Sequence, residues 1–301
     1  MAVVVTYRRP RLATAVVRQL VDAEGFGPDQ VVLVVNGEGG LTDAALERSV
    51  HTLRMPVNRG PAGGFHAGLQ AAFAQPSTTW AYLCEDDVGL FDLPAPRVQR
   101  VLDEAERFQG GRVGAVVAYG RSLNRRSGAT LPYYPAAGQR ALEPVDAAAW
   151  GATLVSRQVV ESGVLPDPDL FFGYEDFDFF YALREAGFLL LVDTETARAV
   201  AANMSLGGRD EALSGQRPTD ADEGWRAYYV ARNFFPLARR HGRRRWLAWH
   251  LLYSLRRMQL SPAKDQRIAT MMGLWDGMRG RLGVNPRYTR QVGEWSGAPG
   301  P

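Results

Sequence analysis

Short apolar runs alternate with stretches of helical periodicity through the first 120 residues. Ala2–Thr6 is a continuous apolar run that stops at the polar Tyr7-Arg8-Arg9, and its length suits a strand buried on both faces. Residues 11–23 then carry Leu12, Val16, Val17 and Leu20 at helical spacing. Residues 31–35 repeat the buried-strand pattern and end at the turn signal Asn36-Gly37. Residues 42–49 read as a helix capped by Thr42 or Asp43, and 63–74 as another. Residues 80–84 and 113–117 complete four strands. Strands alternating with helices imply an α/β fold: a mostly parallel sheet flanked by helices on both faces.

Between 120 and 146 the periodicity is poor and Gly, Pro and Tyr are frequent, which predicts short antiparallel strands and loops. Residues 148–155 again read as one strand, and Phe171-Phe172-Gly173-Tyr174 leads into a helix starting near Glu175. After about residue 223 the chain is helical throughout, with arginine and aromatic residues at helical spacing. The pattern therefore divides the chain into an α/β part, 1–222, and a helical C-terminal extension, 223–301. No internal repeat is present.

Charge sharpens that division. The 301 residues carry a formal net charge of +3, yet residues 226–290 hold fifteen Lys/Arg against Asp265 and Asp276. The rest of the chain is net acidic. With 46% hydrophobic residues there is ample material for a core. The single cysteine, Cys84, excludes an intramolecular disulfide, and no Cys/His cluster has zinc spacing.

The apolar run Tyr82-Leu83-Cys84 ends in Glu85-Asp86-Asp87, three carboxylates in one short turn. Such crowding is relieved by a solvated turn or by a divalent cation that carries a diphosphate. In parallel α/β sheets ligands bind beyond the carboxyl ends of strands. Thr6-Tyr7-Arg8-Arg9, Asn36-Gly37 and the triplet all lie at such ends and are expected to line one crevice. Asn58-Arg59-Gly60-Pro61-Ala62-Gly63-Gly64-Phe65 is a glycine-rich turn opening a helix; it suits close approach of backbone to an anion, or simply a tight turn. It is neither a Walker loop nor a dinucleotide fingerprint. Glu175-Asp176 forms a second acidic focus among Phe171, Phe172, Tyr174, Phe177, Phe179 and Phe180. A carboxylate half-buried among aromatics has its pKa raised, which suits a general base, although acids also favour a first helical turn without chemistry. Asp178 points elsewhere on the helix and reads as a solvated or capping residue.

The order Val5-Thr6-Tyr7-Arg8-Arg9, Asn58-x-Gly60-x-x-Gly63-Gly64, Glu85-Asp86-Asp87, Glu175-Asp176 resembles inverting family-2 glycosyltransferases of the GT-A (Rossmann-like) fold. The form Asn-x-Gly-x-Ala-Gly-Gly-Phe, with Trp225-Arg226-x-Tyr228-Tyr229-x-x-Arg232-Asn233 downstream, is similar to rhamnosyl- and galactofuranosyltransferase-like members. The resemblance implies a nucleotide-diphosphate sugar donor held over Mg2+ or Mn2+. Asp87 would be the metal ligand, with Glu85 or Asp86 on the ribose or sugar. Thr6, Tyr7, Arg9, Asn36 and Asn58 would lie by the donor, Gly63 and Gly64 would let backbone pass close to it, and Trp150 would border its sugar. Asp176, beside Glu175, would take the proton of an acceptor hydroxyl. Two departures stand out: Val34-Val35-Asn36-Gly37-Glu38 lacks the Asp that reads the base in many relatives, and Val200-Ala201-Ala202-Asn203 lacks their metal-binding His. Asn203 or water would then complete a metal shell. His66 reads as structural or as a polar donor-side group.

The expected donor is a dTDP-deoxysugar such as rhamnose or a UDP-sugar such as galactofuranose, and the expected acceptor a cell-envelope or lipid-linked glycan. Natural-product glycosylation and a non-catalytic nucleotide-sugar-binding relative are the alternatives. A nucleotidyltransferase would need an N-terminal glycine-rich loop with lysine, which is absent. Residues 246–260, with Leu247, Trp249, Leu251, Leu252 and Leu255 between Arg243-Arg244-Arg245 and Arg256-Arg257, read either as a membrane-surface helix or as a helix packed on the catalytic part. Nucleic-acid binding is not expected, and a homodimer is compatible with the pattern. No leader precedes Ala2–Thr6 and no apolar run is long enough to span a bilayer, so the expected location is cytoplasmic, either free or, on the membrane-surface reading of residues 246–260, peripheral at the inner face of the plasma membrane.

Overall fold

The computed structural model describes residues 1–86, 96–136, 138, 140–205, 223–260 and 263–289, with the side chains of 200–205 and 223 excepted. Asp87 and the side chain of Asn203 thus lie outside the described residues.

The chain opens β1 (Ala2–Thr6), α1 (Pro10–Asp22), β2 (Val31–Asn36), α2 (Ala44–Ser49), β3 (His51–Met55), α3 (Gly60–Ala74) and β4 (Trp80–Glu85). It continues α4 (Arg97–Arg107), β5 (Val113–Val117), β6 (Gly120–Leu123), β7 (Thr130–Pro132), β8 (Leu142–Pro144), β9 (Ala147–Ala148), β10 (Thr153–Ser156), α5 (Arg157–Glu161), α6 (Glu175–Glu185), β11 (Leu189–Asp193) and α7 (Thr194–Ser205). The extension is α8 (Glu223–Arg240), α9 (Arg244–Leu260) and α10 (Lys264–Met278). The eight-stranded central sheet has the order β3-β2-β1-β4-β10-β5-β11-β8. The β1, β2, β3 and β4 pairings are parallel, as is β5 with β11, while β10 and β8 run antiparallel to their neighbours. The mixed α/β sheet with helical cover and a helical C-terminal part is the architecture expected above.

The uninterrupted valines of β1 and β2 are explained by two cores. Val3, Val5, Val32 and Val34 pack with Phe65 and Leu69 of α3 and Phe179 and Phe180 of α6. Ala2, Val4, Leu33 and Val35 pack on the other face with Val16, Val17 and Leu20 of α1 and Val98 and Val101 of α4. A strand covered on both sides loses the polar alternation of a half-exposed one. A Cβ on Gly64 or Gly68 would come within 2.5 or 2.3 Å of Val5 or Val3, so the two glycines, one helical turn apart, let α3 lie close on the sheet.

The predicted strand over 148–155 is broken in two. β9 pairs with β6 in a separate three-stranded sheet, β10 lies in the central sheet, and Gly151 turns the chain between them at φ 138°. The turn leaves Trp150 buried in the core with Phe65, Phe179 and Phe180. β3 was not anticipated because its alternation is polar and half-exposed, as an edge strand allows. In the extension, α8 and α10 cross closely: a Cβ on Gly273 or Gly277 would strike the carbonyl of Tyr228 or Arg232 at 2.2 or 2.4 Å. Phe234, Leu237 and Ala238 of α8 and Trp246 of α9 pack on Phe177 and Tyr181, so the extension covers the outer face of α6.

Candidate active site

The carboxyl ends of β1 and β4 meet as expected. Their pairing sets Val5 opposite Glu85, and just beyond, Thr6 Oγ1 donates to Asp86 Oδ2 at 2.7 Å while Arg9 Nη1 donates to Asp86 Oδ1 at 3.1 Å. Asp86 is buried, and both its oxygens are held by these two residues. Arg8 takes a left-handed φ of 55°, its ring-facing guanidinium lies 5.4 Å from the centroid of Tyr7, and its Nε donates to Glu38 at 3.0 Å. The β1 turn is therefore tied on one side to the acidic strand end and on the other to the β2 turn.

Asn36 closes the next corner. Its Nδ2 donates to Gly60 O at 2.8 Å, and its Oδ1 accepts from Arg59 N at 2.9 Å. Asn58 Oδ1 accepts from Gly60 N at 2.8 Å. Both side chains are thus used to shape the glycine-rich turn. Gly60 is required there: its φ is 70°, and a Cβ would sit 1.9 Å from Phe171 O. Gly63 and Gly64 are buried against Arg59 and Val5, which gives their bare backbones a packing role. His66 Nδ1–H donates to Pro166 O at 2.8 Å, which ties α3 to the segment before α6.

The second acidic focus starts α6. Phe171, Gly173 and Tyr174 are left-handed, at φ 61°, 80° and 66°, with Phe172 between the first two in an ordinary conformation, and Tyr174 is the residue from which α6 begins. Non-glycine residues held there store strain of roughly 1–3 kcal/mol each, a cost met with mostly where geometry serves a site. Glu175 is buried, and its pKa is pushed well up by burial and then by the charge of Asp176, with Glu85 adding to it. Asp176 is half-buried. Its pKa is raised to about 6 by burial, against the stabilising Phe177 N–H at 2.7 Å, Arg121 and the Trp150 backbone. The two adjacent carboxyls titrate as a coupled pair, and burial pushes both upward.

Glu85, Glu175, Asp176, Trp150, Arg121 and Arg226 line one cleft of about 690 Å³, a size that suits a bound small molecule. Trp150 forms its aromatic floor, with ring centroids 4.7 Å from Phe65 and 5.4 Å from Phe179. Arg226, over Phe172 and Trp225 at 5.1 and 4.9 Å, and Arg257 bring the extension into the cleft wall. Asp178 corrects its expectation. It is buried, accepts from His241 Nε2 at 3.0 Å and pairs with Arg240, so it anchors α6 to the end of α8. Its partners lie some sixty residues downstream, beyond the reach of local pattern. Arg232 and Asn233 were quoted above only as part of a motif, and both are buried against the 170–173 turn. A fully buried arginine in an aromatic helical stretch was the signal available. Among the described residues no three His, Cys, Asp or Glu side chains gather as a metal site.

No protein-family model matches the chain, and no curated protein matches it. Distant likeness to solved structures exists. A crystal structure of S. aureus TarS 1-349 in complex with UDP is 12% identical over 93% of this chain and 91% of that one, with a TM-score of 0.46. A crystal structure of GalNAc-T7 with UDP, GalNAc and Mn2+ is 14% identical over 64% of this chain, with a TM-score of 0.45. This chain spans only 41% of that one's length. The crystal structure of A197 from STIV is 12% identical over 64% of this chain and 80% of that chain, with a TM-score of 0.36. None of these is close enough to assign a family or an activity.

Proposed function

We propose that the protein is an inverting glycosyltransferase of GT-A type that moves a sugar from a nucleotide-diphosphate donor to an acceptor hydroxyl. The supporting observation is the single cleft that brings Glu85, from the acidic end of β4, together with Asp176, a carboxyl whose pKa is raised to about 6. Residues 1–222 would form the catalytic part and 223–301 an extension that completes the cleft wall.

The donor nucleotide would lie over the β1 and glycine-rich turns, beside Thr6, Tyr7, Arg9 and the backbone shaped by Asn36 and Asn58. Asp86 is engaged by Thr6 and Arg9, and Glu85, which lines the cleft, would be the carboxylate that meets the donor. Trp150 would border the donor sugar. The donor set suits a hard divalent ion in type, since Glu85 and the adjoining Asp87 offer only carboxylate oxygens. Mg2+ or Mn2+ held at Asp87 would neutralise charge developing on the departing diphosphate. Asp176, ionised at neutral pH, accepts the proton of the acceptor hydroxyl as that oxygen attacks the anomeric carbon from the face opposite the diphosphate. One displacement inverts the configuration.

The acceptor class favoured is a cell-envelope or lipid-linked glycan, reached from a membrane surface. α9 buries Trp246, His250 and Ser254 against the fold and leaves Trp249, Leu252, Tyr253 and Leu255 at least half exposed beside Arg256 and Arg257. Apolar residues beside arginines match an anionic bilayer surface. No helix of the described residues is long and apolar enough to cross one.

Thermal-shift titration with UDP- and dTDP-sugars, with Mn2+ or with EDTA, tests the donor reading. Stabilisation by one nucleotide-sugar that EDTA or Asp87→Ala weakens is expected. Indifference to all of them contradicts it, and binding without turnover marks a non-catalytic relative.

A further inference from the structure

Arg232 and Asn233 sit side by side on α8 with 1% and 0% of their surface exposed, and the chemistry above uses neither. Asn233 Nδ2 lies within hydrogen-bond distance of three carbonyls, which share its two hydrogens: Leu170 at 2.6 Å, Phe172 at 2.8 Å and Gly173 at 2.8 Å. Arg232 Nη2 donates to Leu170 O at 3.0 Å and Asp169 O at 3.3 Å, and its Nη1 to Gly283 O. Arg232 Nε donates to Asn233 Oδ1 at 2.8 Å, which fixes the amide with its NH2 toward the turn. The guanidinium lies 4.6 Å from the ring centroid of Tyr229, which holds it in plane.

Those carbonyls belong to the turn in which Phe171, Gly173 and Tyr174 are all left-handed. The Leu170, Phe172 and Gly173 carbonyls converge on the Asn233 amide, and buried carbonyls of an irregular turn cost stability unless donors meet them. Strained turns of this kind persist only when their surroundings over-determine them. The turn also fixes where α6 starts, and Glu175 and Asp176 are the first two residues of α6. From the other side, Gly60 of the donor-side turn rests on Phe171 O.

We propose that Arg232 and Asn233 are positioning residues that hold the 170–173 turn in its left-handed form and so set the place of Asp176 in the cleft. The assignment rests on the reading of Asp176 as the base. A side chain that merely fills the core would add stability alone; this pair governs the geometry of one neighbouring carboxylate.

The test uses full-length protein labelled at aspartate carboxyl carbons and titrated by NMR, with Asp176→Asn assigning the resonance. Asn233→Leu keeps the size and removes the donors; Arg232→Lys keeps the charge and removes the planar fork. Both should lower the titration of Asp176 from about 6 toward the ordinary aspartate range, because a loosened turn admits water. Both should speed amide exchange at 171–176 at least tenfold while β1 and β4 keep their protection. Turnover of the stabilising donor should fall at least tenfold with its affinity within twofold. Arg239→Ala, on the same helix as Arg232 and Asn233, removes only an exposed bond to Met278 O of α10 and should do none of this. The proposal is overturned if Asp176 titrates and 171–176 exchange as in the wild type, or if stability falls with that titration unmoved. Should Asn233→Leu fail to fold, Arg232→Lys decides by the same criteria. Wild-type turnover by Asp176→Asn would instead sink the base reading, while local exchange in the Arg232 and Asn233 variants still reports on the turn.

Discussion

Glu175 and Asp176 are neighbours in the chain, and burial raises both, but only Asp176 has Phe177 N–H, Arg121 and the Trp150 backbone to favour its charged form. Turnover should therefore follow ionisation near pH 6, constant above it and falling about tenfold per unit below it. Asp176→Asn should cost about 10²–10⁴-fold in turnover, the usual contribution of a positioned base. Stability carries the opposite sign. A carboxyl with a raised folded pKa holds its proton longer in the native state, so ionising it costs stability as pH rises from about 3.8 to about 6. Asp176→Asn should then raise the unfolding temperature at pH 7.5 by more than at pH 4, which differential calorimetry can read. An equal effect at both values contradicts the raised pKa. Gly60→Ala should cost at least about 2 kcal/mol, since the Cβ meets Phe171 O and φ is left-handed; denaturant unfolding measures it. Both acidic foci were legible because type and place sufficed: carboxylates at a strand end and among aromatics. The inward use of Asn36 and Asn58 was not, since an asparagine at a turn looks the same whether it serves ligand or backbone.

α6, which carries the proposed base Asp176, is fixed at both ends. Its start leans on the left-handed turn, and its outer face is clamped by His241, which lies between Asp178 and Glu185. Burial works to lower the pKa of His241, but its hydrogen bonds to Asp178 and Glu185 raise it overall. Arg240 and Arg243 flank the cluster through Asp178 and Glu185. A histidine raised on folding contributes stability that is full below its ordinary pKa and is lost as pH climbs through the folded value. His241→Gln should therefore destabilise more at pH 6 than at pH 9, as urea unfolding at the two values would show; a cost independent of pH contradicts the clamp as an ion pair. At this scale the sequence was readable wherever one face or both faces of an element were apolar: β1, β2, α1 and α3 emerge from periodicity alone. The split of 148–155 into β9 and β10 was hidden, because a continuous apolar run conceals the one glycine that turns it.

For the whole molecule, the basic extension joins two demands. α8 and α9 supply a wall of the cleft through Arg226 and Arg257, and the outward side of α9 remains apolar and basic. That dual use explains why both readings of residues 246–260 were plausible from pattern: Trp246 packs inward while Trp249 faces out. Flotation with vesicles containing anionic phospholipid should carry the protein at low salt, and 0.5 M NaCl or the double change Trp249→Ser with Leu252→Ser should reduce it at least fivefold. Equal flotation with neutral vesicles, or none with either, contradicts a basic membrane face. The central claim, a transferase with its donor between the acidic end of β4 and Asp176, is met most directly by one assay. Nucleoside diphosphate release is followed from a panel of UDP- and dTDP-sugars with Mn2+, for wild-type protein and for Asp176→Asn. The account predicts that one donor is consumed by the wild type, and that the variant binds it with the same affinity but releases at least a hundredfold less. Release at the wild-type rate by the variant, or no release from any donor, would contradict it.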